Sequence, residues 1–171
     1  IDAVIADPHC VPPQETRFFT ERLLFMPHSR LCLTPPANAP QVAPEPPMAA
    51  LPWITFGCFQ NASKINDRVL SVWKRVLDAV PGSVLRLQNG RFDEQQQVLR
   101  LRERLRAAGI DLRRVFISNN LAREHYLGQY AEVDVLLDTF PYPGGTTTAE
   151  AIWMGVPTLA LATPGMLGRQ G

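Results

Sequence analysis

The stretch "DTFPYPGGTTTAEAIWMGVP", residues 138–157, decides the fold. It is entered from the apolar run "VDVLL" (133–137) and left into a second one, "PTLALAT" (157–163). Between them lie Gly144 and Gly145, then Thr146, Thr147 and Thr148, where a strand ends and a helix over about Thr146 to Met154 begins. A turn needs one glycine and a helix start needs one capping hydroxyl. The plain alternative here is therefore a Gly-Gly turn followed by a single Thr cap. The two further hydroxyls have another use. In an open α/β sheet, ligands bind beyond the carboxyl ends of the strands. Glycines there let the backbone approach a ligand, while the unpaired N–H groups and positive dipole end of the next helix favour an anion. Phosphate uses that combination best. The loop is neither a Walker loop, since no Gly-Lys-Ser/Thr follows, nor a GxGxxG turn.

Working outward, the chain alternates from Trp53 onward. "WITFGCF" predicts a strand. "NDRVLSVWKRVLDAVPG" predicts a helix capped by Asn66, with Val69, Val72, Trp73, Val76, Leu77 and Val80 on one face and Pro81-Gly82 as its stop. "SVLRLQN", "RRVFISN" and "VDVLLDTF" predict strands, and "DEQQQVLRLRERLRAAGI" and "AREHYLGQYAEV" predict helices. Such alternation is the signature of a doubly wound, mostly parallel α/β sheet. Upstream, residues 3–6 predict a short buried strand. Phe18, Phe19, Leu23, Leu24 and Met26 recur at near-helical spacing up to Pro27, which predicts a helix there. Residues 34–52, "TPPANAPQVAPEPPMAALP", are too rich in proline for helix or central strand and read as a connector packed over the sheet.

Three further places stand at predicted strand ends. "FGCFQNASKINDR" sets Gln60, Asn61 and Lys64 after the strand that starts the alternation; a lysine there can neutralise a phosphate while the amides orient it. Taken alone, it is also what an exposed lysine beside two turn-forming amides looks like. "SNNLAREHYLGQY" offers Asn119, Asn120, Arg123, His125 and Tyr126 for a pocket wall, with a ring to stack on a base. Taken alone, His125 also fits a surface position. Glu150 falls one helical turn beyond Thr147, in reach of a ribose diol, or simply compensates the helix dipole. The functional reading rests on the convergence of these places on one side of one sheet.

Composition narrows the classes. With 171 residues, 46% hydrophobic and 19% charged, the chain has the make-up of a globular protein able to bury a core. A net charge of +1 gives no field for nucleic acid or an anionic membrane, and no apolar run is long enough for a membrane span. The basic helix at 100–114 is interleaved with Asp93, Glu94, Glu103 and Asp111, which reads as an exposed helix face. Cys10, Cys32 and Cys58 are odd in number and widely spaced, which points to reduced thiols and a cytoplasmic location, without a metal cluster. The apolar opening "AVIAD" and the ending just after a strand read as a piece of a longer chain.

"FQNASKI", "EVDVLLDTFPYPGGTTTAEAIWMGVPTL" and "ERLLFMPHSRLCLTPP" together resemble the C-terminal catalytic half of the O-linked N-acetylglucosamine transferase and SPINDLY family, its bacterial members above all. The resemblance implies a GT-B glycosyltransferase preceded by tetratricopeptide repeats, with this chain divided into the end of the first lobe (1–33), a connector (34–52) and a Rossmann-like donor-binding lobe (53–171). It implies Lys64 on the pyrophosphate as the catalytic group, with Gln60 or Asn61 beside it. It further implies Thr146 and Thr147 on the diphosphate, Glu150 on the ribose, and structural roles for Trp153 and Gly155. The family's animal enzyme has histidine where Gly145 stands and Asp where Glu150 stands. Its histidine near "HYLGQY" falls in register with Tyr126 rather than His125, so either can face the nucleotide. The implied substrates are a UDP-GlcNAc donor, without a cofactor, and protein Ser/Thr acceptors. The alternatives are a GDP-sugar (fucosyl) donor, as in SPINDLY relatives, or a non-catalytic nucleotide-binding module.

Overall fold

The computed structural model describes residues 1–89, 92, 95–119 and 122–171. Asp93, Glu94 and Asn120, singled out above, lie outside the described residues. Five parallel strands form the main sheet: β3 (Thr55–Cys58), β4 (Val84–Gln88), β5 (Val115–Ser118), β6 (Val135–Leu137) and β7 (Thr158–Leu159). Their order is β5-β4-β3-β6-β7. The chain therefore starts in the middle, builds out to β5, crosses back and builds out the other way from β6. The adjoining ends of β3 and β6 are the topological switch point, the place where a sheet of this kind leaves a crevice at its carboxyl edge.

Helices α1 (Asp67–Ala79) and α2 (Gln95–Ala107) cover one face; α3 (Arg123–Gly128) and α4 (Thr146–Trp153) serve the other. Strand periodicity assigns the faces. Phe56 and Cys58 of β3, Leu85 and Leu87 of β4 and Leu137 pack with Val69, Trp73, Leu77 and Leu105 in the larger core cluster. Phe59 and Leu136 turn the other way, to Leu127, Tyr130, Val133, Ala151 and Met154. Helix α1 forms where its pattern predicts. The Asn66 side chain accepts from Val69 N at 3.1 Å, and the buried stripe is Val69, Leu70, Trp73 and Leu77.

Before this sheet, β1 (Ala3–Ala6) and β2 (Arg22–Phe25) pair in parallel as a separate two-stranded sheet. The helix expected up to Met26 is thus corrected. A 3-10 helix covers Pro13–Phe18, and Arg22–Phe25 is strand. Phe19 and Leu23, four apart, suit either period, and pairing with β1 decides for strand. The Pro-rich stretch at 34–52 packs on the sheet unit: Ala39 joins the second cluster, and Met48 N–H donates to Asp134 Oδ1 at 2.8 Å. Among the described residues no helix is long and apolar enough to cross a membrane.

Candidate functional site

At the switch point the loops leaving β3 and β6 face each other across a hollow of about 340 Å³. It is lined by Gln60, Asn61, Lys64, Gly145, Thr146 and Thr147, with Leu31, Tyr142 and Gln170 at its rim. The loop after β3 is shaped by Asn61, whose side chain accepts from Ser63 N at 3.0 Å and starts a single 3-10 turn ending at Lys64. That turn carries the ammonium across to the other loop. Its Nζ donates to Pro143 O at 3.0 Å and to Gln60 Oε1 at 3.3 Å, and lies 4.1 Å from the centre of the Tyr142 ring.

On the far wall α4 opens at Gly145, which has no side chain to cap the helix, and no side chain among the described residues is seen to do so. The helix's first intrahelical bond runs from Ala149 N to Gly145 O, so the N–H groups at its start have no partner one turn back. Positive charge on one wall and a helix's positive end on the other are two features that favour an anion. Gln60 is buried at the floor, and Thr146 is exposed at the mouth.

Asp138, at the end of β6, is the feature that sequence reasoning missed. It is 5% exposed. Its carboxylate accepts from Gln60 Nε2 (3.0 Å), Thr139 N (2.7 Å), Gly144 N (2.9 and 3.0 Å) and the Thr148 hydroxyl (3.5 Å). Burial pushes this carboxyl above its ordinary range, against the lowering effect of the Gly144 and Thr139 N–H groups and of Lys64. The signal was present: an acid closes an otherwise apolar strand immediately before a glycine-rich loop. Thr148 and Gly144 thus face inward to Asp138 and serve the loop's shape.

A second group of expected residues gathers one step away. Glu150 is buried and pairs with Arg123 at 2.5 Å, while its other oxygen accepts from Tyr126 (3.2 Å) and Tyr130 (3.4 Å). The same Tyr130 hydroxyl stands 3.3 Å from Thr147 O, so its single proton serves one acceptor or the other, and this cluster reaches the start of α4. Burial raises both phenols above their ordinary range. Phe59 stacks obliquely on both rings, at 5.8 Å from Tyr126 and 4.6 Å from Tyr130. Of the alternatives in α3, Tyr126 turns inward to this cluster and His125 is exposed. Asn119 is exposed and its carbonyl accepts from Gln88 Nε2 at 2.5 Å. The hollow therefore brings together Gln60, Asn61, Lys64, Gly145, Thr146 and Thr147, and leaves His125, Tyr126 and Glu150 outside its wall. Among the described residues no three His, Cys, Asp or Glu side chains are grouped to hold a metal.

Fold and site together define a Rossmann-like α/β lobe with its polar crevice at the switch point. Comparison with known proteins makes the class specific. The family model described as glycosyl transferase family 41 matches residues 48–170, and the chain belongs to that family. It is 38% identical over 165 residues to a Solanum lycopersicum protein named probable UDP-N-acetylglucosamine–peptide N-acetylglucosaminyltransferase SPINDLY, over 94% of this chain and 17% of that one. An Arabidopsis thaliana relative carrying the same enzyme name and called SEC is 26% identical over 176 residues, 99% of this chain and 18% of the relative. The fold superposes on a point mutant of the Thermobaculum terrenum O-GlcNAc transferase with a TM-score of 0.90 and 35% identity, covering 99% of this chain and 32% of that one. The lobe is thus of the GT-B kind, and the chain spans less than a fifth of these curated relatives.

Proposed function

We propose that this chain supplies the nucleoside-diphosphate site of a protein O-glycosyltransferase whose donor is UDP-GlcNAc. The observation that carries the reading is that Lys64 and the uncapped start of α4 line one hollow at the switch point. Family membership and the names of the relatives support it. In this reading residues 1–33 end a first catalytic lobe, 34–52 connect, and 53–171 form the donor lobe. The rest of the first lobe and tetratricopeptide repeats belong to the remainder of the protein, which works in the cytoplasm.

The reaction is an inverting transfer. An acceptor Ser or Thr hydroxyl oxygen bonds to the anomeric carbon from the face opposite the diphosphate. The bond from that carbon to the diphosphate oxygen breaks, its electron pair leaves with the diphosphate, and the hydroxyl proton passes to a base outside this lobe. Negative charge grows on the leaving group, and Lys64 with the N–H groups of Thr146 and Thr147 meets it, already in place. That supply of positive charge is why the reading is metal-independent. Glu150 binds the ribose once Arg123 yields it, and Tyr126 lies beneath the nucleoside.

Calorimetric titration with UDP and with GDP tests this. UDP binding that weakens by about 1–3 kcal/mol in Lys64→Ala, the scale of a lost charge-assisted bond, is the expected result. Preference for GDP would move the donor to the GDP-sugar alternative. Binding of neither nucleotide would sink the reading.

A further inference from the structure

We propose that Asp138 is a positioning residue that sets the place of the Lys64 ammonium by orienting the two amide groups that grip it; this rests on the donor-site reading above. An ammonium has three N–H bonds. Two of them on Lys64 go to Gln60 Oε1 and to Pro143 O. Neither oxygen belongs to a group that holds its own orientation. A side-chain amide can turn over end for end, and a loop peptide can rotate as a plane. Asp138 fixes both. By accepting from Gln60 Nε2 at 3.0 Å it turns that amide so that its oxygen faces Lys64. By accepting from Gly144 N at 2.9 Å it fixes the Pro143–Gly144 peptide, whose carbonyl points the opposite way because the peptide is planar and trans. The carbonyl so aimed is the one that Lys64 meets at 3.0 Å.

The two amides therefore stand side by side between a buried carboxylate and a cavity-lining ammonium. Gly144 is what lets them: a Cβ there would lie 1.9 Å from Gln60 Nε2. At 5% exposure Asp138 does not line the hollow, so its influence on a ligand passes through Lys64. With two protons engaged, the third N–H of Lys64 is left for a phosphate oxygen, and its direction is set by the other two. Asparagine at 138 does this work less well. One orientation of its amide keeps an oxygen at Oδ1 for Gln60 Nε2 and Gly144 N. It puts Nδ2 in place of Oδ2, however, 3.0 Å from Gly144 N, donor against donor, which pushes the Gly144 peptide off its line. The other turns Nδ2 toward Gln60 Nε2, Thr139 N and Gly144 N at once.

The test is a double-mutant cycle read by UDP titration of the purified protein, with thermal melting to confirm that each variant is folded. Asp138→Asn is expected to weaken UDP about tenfold, and the double variant Asp138→Asn/Lys64→Ala to bind within about twofold of Lys64→Ala alone, since a residue acting through Lys64 has nothing left to position. A merely structural role does not produce that non-additivity. Wild-type affinity in Asp138→Asn, or losses that multiply in the double variant, would overturn the proposal. Should Asp138→Asn not fold, Gln60→Leu cuts one arm alone. It is then expected to weaken UDP about threefold with the same non-additivity toward Lys64→Ala, and multiplied losses again overturn it. If the wild type binds neither UDP nor GDP, the donor-site reading fails by itself, and the positioning is judged without nucleotide. Acylation of Lys64 by an amine reagent, followed by peptide mass spectrometry, is expected to run at least about threefold faster in Gln60→Leu than in wild type. Equal rates overturn the positioning.

Discussion

Gly144 and Gly145 are neighbours with the same side chain and opposite reasons for it. A Cβ at 144 would press on Gln60 Nε2 at 1.9 Å and on the Thr148 hydroxyl at 2.8 Å, both groups held by Asp138. A Cβ at 145 meets nothing nearer than Gln170 Cδ at 4.0 Å, and its φ of −114° is open to any residue. The methyl of Gly145→Ala would instead stand in the wall of the hollow. Gly144→Ala is therefore expected to cost about 1–3 kcal/mol of stability by overpacking, and UDP binding with it. Gly145→Ala is expected to stay within about 1 kcal/mol in stability while still weakening UDP. Melting curves and titrations on the pair separate the two; equal melting losses would refute the distinction. From sequence the two glycines look alike. What differs is which neighbour each meets, and those neighbours come from the β3 loop and the chain's far end.

At the scale of elements, the turn after β1 is built around one carboxylate. Asp7, 2% exposed, accepts from His9 N (2.9 Å), Cys10 N (2.8 Å) and Arg30 N (2.9 Å), so it ties the end of β1 to the chain beyond β2. Burial alone would raise this carboxyl, but the Arg30, Cys10 and His9 N–H groups outweigh it and hold it below the ordinary range. A depressed acid stabilises above its unfolded-state value near 3.8 and loses that contribution as pH falls through its folded-state value. Asp7→Asn is thus expected to lose about 1–3 kcal/mol at pH 7, with the gap to wild type closing below about pH 4. Urea melts across pH check it, and a gap independent of pH would refute the charge's role. This turn was not legible in sequence, because its third donor lies 23 residues away. Nor was β2: its apolar spacing suits helix and strand alike, and only non-local pairing chose. Helix α1 was legible in its cap, its span and the Val69, Trp73 and Leu77 part of its stripe, which are local. Buried Leu70 was missed, and Val72, Val76 and Val80 are only half-buried. Lys64, Gln60 and the Gly-Thr loop were legible because strand-helix alternation puts strand ends on one side. The place of Asp138, an acid before the glycine-rich loop, was legible, but its partners were not, because its Gln60 donor stands 78 positions back.

The whole molecule couples a small layer to a large one, and its three free thiols report on the parts separately. Among the described residues, Cys58 sits in a main core cluster of fifteen buried side chains, while Cys10 clusters with buried Ala6 and Val11 and with half-buried Phe19, Leu23 and Met166. Burial pushes the Cys58 thiol up to about 12 and raises Cys10 as well, opposed by the Arg30 N–H. Cys32 is exposed. The small layer is held to the lobe by the chain's last residues. Arg169 pairs with Glu15 at 2.8 Å, its carbonyl lies 3.7 Å from Cys10 Sγ, and Gln170 takes a bond from Arg30 (3.1 Å) and gives one to Pro143 O (3.2 Å). These contacts are mostly polar, with Met166 packed on the small cluster as an apolar addition. Three buried apolar residues supply far less hydrophobic stabilisation than the fifteen described in the main core. The layers are therefore expected to open at different free energies, as regions of unequal burial do. With an aromatic disulfide reagent at pH 8, Cys32 should react at once. In rising urea Cys10 should become reactive before Cys58, and Glu15→Gln should advance Cys10 alone. Cys10 and Cys58 opening at one urea concentration would instead mean that the tail contacts weld both layers into a single cooperative unit. The same contacts reach Pro143, the carbonyl that Lys64 uses, so in that case a change at Glu15 would be felt at the anion site as well.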